Sequence, residues 1–179
     1  SYTANPNAFF YLNTASGYRR TGFNSGAASI LSGAAQPNRQ YAGDSLWSFE
    51  AGSKTAFLDQ RVRVRAAAFM QYWNNVQTDQ LFAAGVPFSG NVGDAKSGGF
   101  EVEASAQPTS ALQFKLNASY TDSRITRPDV GFPARLQAGL PGAPHFAAGA
   151  SFLYRQRIAH DVSATASLRS MYVGKSNIA

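Results

Sequence analysis

The sequence predicts an all-β chain, an antiparallel up-and-down meander of about seven long strands. Three observations carry that reading. Apolar and polar residues alternate with a period of two in run after run. The runs reach about 11–15 residues, long beside the roughly 5–6 of an ordinary globular strand. The connections between them are alternately very short and long. The clearest run is Arg61-Val62-Arg63-Val64-Arg65-Ala66-Ala67-Ala68-Phe69-Met70-Gln71-Tyr72. A strand sends successive side chains to opposite faces, so Val62, Val64, Ala66, Ala68, Met70 and Tyr72 share one side. Arg61, Arg63, Arg65 and Gln71 share the other. At helical spacing those arginines would be spread around the whole circumference.

The elements follow in order. The first strand is expected near Ala8–Arg20, with Phe10, Leu12 and Tyr18 opposite Asn13. A polar, Gly/Ala/Ser-rich connection runs from Asn24 to Asp44. The second strand, Ser45–Phe57, sets Trp47, Phe49, Ala51, Thr55 and Phe57 against Glu50, Gly52 and Lys54. Leu58-Asp59-Gln60 turns the chain into the third strand, which runs to Gln77. Asp79–Gly93 is a long loop punctuated by Gly85, Pro87 and Gly90. The fourth strand, Ala95–Ala106, sets Phe100, Val102 and Ala104 against Glu101, Glu103 and Ser105, and a turn over 107–110 follows. The fifth, Ala111–Ile125, sets Leu112, Phe114, Leu116, Ala118 and Tyr120 against Gln113, Lys115 and Asn117. After a Pro/Gly-rich loop over 126–143, the sixth strand sets Phe146, Ala148, Ala150, Phe152 and Tyr154 against Gly149 and Ser151. A short turn over 156–160 precedes the seventh, in which Val162, Ala164, Ala166, Leu168 and Tyr172 oppose Ser163, Thr165 and Arg169.

Composition narrows the setting. The 179 residues are 44% hydrophobic and 15% charged, with a mean hydropathy of −0.24. No stretch approaches the roughly 18–20 apolar residues of a spanning helix. Barrel strands escape such a scan, because only every second residue faces lipid. There are no cysteines, which excludes disulfides and thiolate chemistry. The net charge of +6 is dispersed over alternating strands, so a nucleic-acid partner is not expected. No charged-then-apolar targeting segment opens the chain at Ser1, so the sequence reads as part of something longer. A sandwich core would not tolerate intact charges facing inward, whereas a hydrated lumen would. The reverse arrangement, a soluble β-sandwich with its charges outside, is the alternative, together with a porin-like passive barrel.

Particular stretches go further. Leu46-Trp47-Ser48-Phe49-Glu50-Ala51-Gly52-Ser53-Lys54 followed by Leu58-Asp59-Gln60 and the arginine run resembles the late barrel of TonB-dependent outer-membrane receptors. So do Gly17-Tyr18-Arg19-Arg20 before Gly22-Phe23-Asn24, the stretch from Asn91 to Glu103, and Pro141-Gly142-Ala143-Pro144-His145. The order and spacing of these blocks cover essentially the whole chain. The resemblance implies one partial domain over residues 1–179, a segment of a 22-stranded barrel whose lumen is filled by an N-terminal plug. It also implies a bacterial outer-membrane location and TonB-energised uptake of a scarce ligand, typically a ferric siderophore. The plug, the TonB-contact segment, the first half of the barrel and a terminal aromatic-ended strand have no counterpart in these residues.

Candidate functional residues divide into two sets. Glu50, Lys54, Arg61, Arg63, Arg65, Glu101, Glu103, Lys115 and Arg169 are expected to line the lumen. Arg61, Arg63 and Arg65 would either guide an anionic ligand or contact the plug, and because they follow a short turn, near the periplasmic end, plug contact is the expectation preferred. Tyr41, Phe82, Phe88 and Arg135, in the long extracellular loops, are the candidates for ligand contact. Glu101 and Glu103 share a face about 7 Å apart, a spacing that superficially suits paired-carboxylate chemistry. They are read instead as balancing a neighbouring strand's cations. His145 and His160 lie at opposite ends of the sixth strand, so no metal site, cofactor or catalytic residue is expected.

Overall fold

A computed structural model describes residues 1–24, 40–81, 85, 87–129 and 144–176. The alternating runs become strands that pair antiparallel in chain order. The principal sheet has eight: β1 (Tyr2–Asn5), β2 (Ala8–Arg19), β5 (Asp44–Phe57), β6 (Val62–Asn74), β9 (Gly93–Thr109), β10 (Leu112–Pro128), β11 (Phe146–Ala159) and β12 (Val162–Val173). Two small hairpins rise from the end where the long connections emerge. One pairs β3 (Gly22–Phe23) with β4 (Gln40–Tyr41), the other β7 (Gln77–Leu81) with β8 (Pro87–Asn91).

Register extends the local alternation across the sheet. Leu12, Ala51, Ala68, Phe100, Tyr120 and Phe146 fall in one line on one face. Near the long-loop end of that face stand Trp47, Phe49 and Tyr72, with Trp47 stacked on Phe49 at 6.2 Å and Phe49 edge-on to Tyr72 at 6.3 Å. Near the short-turn end stand Phe57, Phe114 and Phe152, the last two 5.2 Å apart. From Trp47 to Phe57 is ten steps of about 3.3 Å, which at a tilt of about 40° spans roughly 25 Å. That is the height of an outer-membrane hydrocarbon band. Among the described residues nothing covers this face, and Leu12 is 82% and Leu168 69% exposed. The buried apolar side chains, Val76, Val92, Ala95 and Ile125, sit instead at the base of the long connections. A sheet with one greasy face needs a second layer or an apolar solvent. Among the described residues no second sheet packs on this face: the two small hairpins stand at the long-loop end.

Several boundaries differ from the sequence reading. β1 was not anticipated: its four residues, with a register shift at Thr3/Asn5, are too few to display alternation. The turn expected over 107–110 is Ser110-Ala111, because β9 runs on through Pro108. There Gln107 and Pro108 oppose the single residue Gln113. Such a bulge is where a strand accommodates a residue with no N–H to donate. The last short turn is His160-Asp161 rather than 156–160, with another register shift at Arg157/Ala159. The third strand stops at Asn74, where Asn75 adopts φ 51° and breaks the ladder before β7. The loop expected over 79–93 contains most of the β7–β8 hairpin. The turn at Leu58-Asp59-Gln60 is where expected, with all three residues left-handed (φ 53°, 54° and 68°).

Candidate functional site: the charged face and the loop base

Opposite the apolar face, the register gathers charge. Phe9, Lys54, Arg65, Glu103, Asn117 and Gly149 lie side by side across six strands. Arg65 Nη1 stands 3.4 Å from Glu103 Oε2, so one glutamate does balance a neighbouring strand's cation. Lys54 Nζ lies 5.9 Å from the Phe9 ring and 5.7 Å from that of Tyr11. Tyr11 lies over Gly52, where a Cβ would come within 2.4 Å of the ring, and its hydroxyl engages Glu50. Glu101 sits two residues nearer the long loops, opposite Ala67 and Ser119. Arg63, Ser105, Lys115, Ser151 and Arg169 form the next row towards the short turns. Arg61 closes the turn before β6 and donates to the Pro108 carbonyl at 3.3 Å. An open hollow of about 640 Å³ runs along this face, lined by Lys54, Arg65, Glu101, Glu103, Lys115 and Arg169 among others. Of the predicted inner set, all but Arg61, which stands in the turn, fall by register on one face of the sheet. Among the described residues no three His, Cys, Asp or Glu side chains cluster as metal ligands.

The second feature, at the base of the long connections, was not anticipated. Asp44 opens β5 three residues beyond Trp47, outside the apolar band. It is 5% exposed and accepts from Arg19 N at 3.2 Å and Arg19 Nε at 3.0 Å. Trp73 Nε1 donates to it at 2.9 Å and the Gln77 amide at 3.1 Å, and Arg19 Nη2 completes the pair. Arg19 also donates to the Gln77 carbonyl at 2.8 Å and lies 5.4 Å over the Trp73 ring. One carboxylate therefore joins β2, β5, β6 and β7. Burial works to raise its pKa. Hydrogen bonds from Arg19, the Gln77 amide and Trp73 outweigh that and hold it below the ordinary carboxylate value.

Asparagine side chains then bind the two small hairpins to each other. Asn24 and Ser89 exchange two bonds of 2.8 Å. Asn91 accepts from the Ala42 amide at 2.8 Å and donates to the carbonyls of Ala42 and Asn75 at 3.1 and 2.6 Å. Tyr41, a ligand-contact candidate, is half-buried with its ring against Gly22, where a Cβ would meet the hydroxyl at 2.1 Å. Phe88 is half-buried in β8, opposite Gln80. Phe82 and Arg135 lie outside the described residues.

The sequence matches a protein family described as TonB dependent receptor-like, beta-barrel, over residues 1–178. Solved structures with a similar fold include the ferric yersiniabactin uptake receptor FyuA of Yersinia pestis, with a TM-score of 0.72 at 20% identity over 97% of this chain and 24% of that one. The ferric preacinetobactin receptor BauA of Acinetobacter baumannii gives 0.69 at 16% identity, again over 97% and 24%. The copper transporter OprC gives 0.62 at 16% identity over 90% and 23%. The chain spans about a quarter of the length of these proteins.

Proposed function

Because the chain belongs to the TonB dependent receptor-like β-barrel family, we propose that it forms part of an outer-membrane receptor. The receptor takes up a scarce ligand, a ferric siderophore, with energy delivered by TonB. The observation that carries this reading is the two-faced sheet. An apolar face bounded by aromatic residues turns to lipid, and the charged face, with Glu50, Lys54, Arg63, Arg65, Glu101, Glu103, Lys115 and Arg169, lines the lumen. Alternate connections must lie on the same side of a membrane, and in bacterial barrels the long ones are extracellular. Tyr41 and Phe88 then stand on the side where ligand arrives, above the Asp44 site, and Phe82 and Arg135 belong by sequence to long connections of the same side. Arg61 and Arg63 stand at the periplasmic end, where a plug would meet them. The protein carries cargo and performs no chemistry of its own on it.

The test is topological. Epitope tags go into residues 25–39 and at Ser110-Ala111 of the full-length protein. Intact cells should bind antibody at the first site and not the second. Deleting the first loop should abolish growth on ferric siderophore as sole iron source. Labelling at Ser110-Ala111 instead would invert the orientation and remove the ligand-contact assignments with it.

A further inference from the structure

At the long-loop end of the principal sheet, burial falls on one side only. Asp44, Trp73, Ala95, Ser123 and Ile125 belong by register to the charged face, and all are buried or half-buried. Their neighbours on the apolar face, Tyr72, Lys96 and Arg124, are exposed. The cover over Trp73 and Ala95 is the base of the β7–β8 hairpin, whose flanking residues Val76 and Val92 pack against them. Asp44 accepts from the Gln77 amide and Arg19 donates to the Gln77 carbonyl. Side chains of one face reach the hairpin only if it folds over that face. The hairpin therefore leans across the inner side of the sheet instead of continuing the wall upwards.

We propose that the β7–β8 hairpin is an inward-folded flap at the long-loop mouth, hinged at Asn75 and Gly93 and latched to the β3–β4 hairpin by Asn24 and Asn91. The inference rests on the receptor reading above and adds a moving part to it. Three observations carry it. The chain leaves β6 at Asn75 (φ 51°) and rejoins the sheet at Gly93 (φ 107°), and a positive φ takes each out of the extended conformation. Those two points lie side by side, since Val76 N donates to the Gly93 carbonyl at 2.7 Å. The link to the other hairpin is made by side chains: Asn24 exchanges two bonds with the Ser89 backbone, and Asn91 two with that of Ala42. A side-chain amide can satisfy a backbone donor and acceptor as a strand edge would, yet let go without unfolding either hairpin. Asp44 then holds the hinge side of the flap, the asparagines hold the far side, and parting the latch uncovers the inner wall at Trp73 and Ala95.

The experiment uses the full-length receptor on intact cells, freed of any other cysteine, with Ala95→Cys as reporter and a membrane-impermeant maleimide as probe. Modification of a covered thiol follows the fraction of time its cover is open. Asn24→Ala and Asn91→Ala should each raise the labelling rate roughly tenfold, the effect of losing one or two net hydrogen bonds. Acting on one opening, the two together should raise it roughly a hundredfold. A second reporter, Thr126→Cys, exposed outside the flap, should label at one rate in every variant, which separates flap opening from general loosening. Amide exchange over residues 76–81 and 87–92 in detergent, without the reporter, gives the same comparison and keeps the test decisive if Ala95→Cys disturbs folding. Labelling and exchange that both latch variants leave unchanged would overturn the flap and leave the receptor reading standing. Reporters that label only in permeabilised cells would place the long connections on the periplasmic side and overturn both.

Discussion

Replacing Asp44 with alanine tests whether one carboxylate holds the base of two long loops. The substitution removes the acceptor for Trp73 Nε1, for the Gln77 amide and for the Arg19 guanidinium. A buried donor left unpaired costs about 1–3 kcal/mol. The Arg19 side chain is 52% exposed, so water replaces most of what it loses and its share is about 1 kcal/mol or less. Trp73 and Gln77 are half-buried, so each donor costs near the lower end of that range, about 1–1.5 kcal/mol, and the total with Arg19 is about 2–4 kcal/mol, confined to the loop base. Amide exchange of the folded, full-length receptor in detergent measures it. Peptides covering residues 41–46 and 73–79 should exchange roughly 30- to 1000-fold faster, given a factor of ten per 1.4 kcal/mol. The strand centres around Ala51, Ala66 and Val102 should be unchanged. Exchange within about threefold of wild type at Gln77, beyond the error of such mutational estimates, would refute the reasoning. So would equal acceleration in the strand centres, since the effect would then be global. The sign of the pH dependence follows from the same contacts. A carboxyl held below its ordinary value stabilises fully above its unfolded pKa and loses that contribution only as pH falls through the folded one. The loop base is thus expected to stay closed at about pH 5 and to open only in stronger acid.

Four other outcomes are expected. Phe100→Lys, on the apolar face, should lower folding stability in lipid vesicles by about 2–4 kcal/mol in a denaturant titration, while Ala67→Lys on the charged face should cost under about 1 kcal/mol. Gly93→Ala should cost more than about 2 kcal/mol, measured the same way, because φ is 107° and a Cβ would lie 2.0 Å from the Arg127 carbonyl oxygen. Asp59→Gly should be neutral to about 1 kcal/mol stabilising, since it relieves a left-handed residue (φ 54°). The isolated 179-residue chain should sediment as aggregates without detergent, since β12 is exposed along its whole length and the apolar face is uncovered. A soluble monomer with cooperative unfolding would count against the membrane reading.

What could be read from the sequence alone is what lies within one strand. Val62, Val64, Ala66, Ala68, Met70 and Tyr72 declare their shared face by spacing two residues apart, and a strand has no other way to use that spacing. The same local rule separated Glu50 and Lys54 from Trp47 and Phe49, and set Glu101 and Glu103 apart from Phe100 and Val102. The short turn at Leu58-Asp59-Gln60 was legible because the alternation stops on both sides of it. β1 was not, being only four residues long, and Pro108 misled because a bulge lets a strand keep a residue that usually ends one. The Asp44 site lay wholly beyond local reading. Its partners Arg19, Trp73 and Gln77 are 25, 29 and 33 residues away, and nothing near Asp44 in the chain distinguishes it from a solvated loop acid. Only the register of β2 on β5 and of β5 on β6 brings them together. A register is chosen by the packing of whole strands, so the chain states which side each residue faces while the folded sheet decides whom it meets.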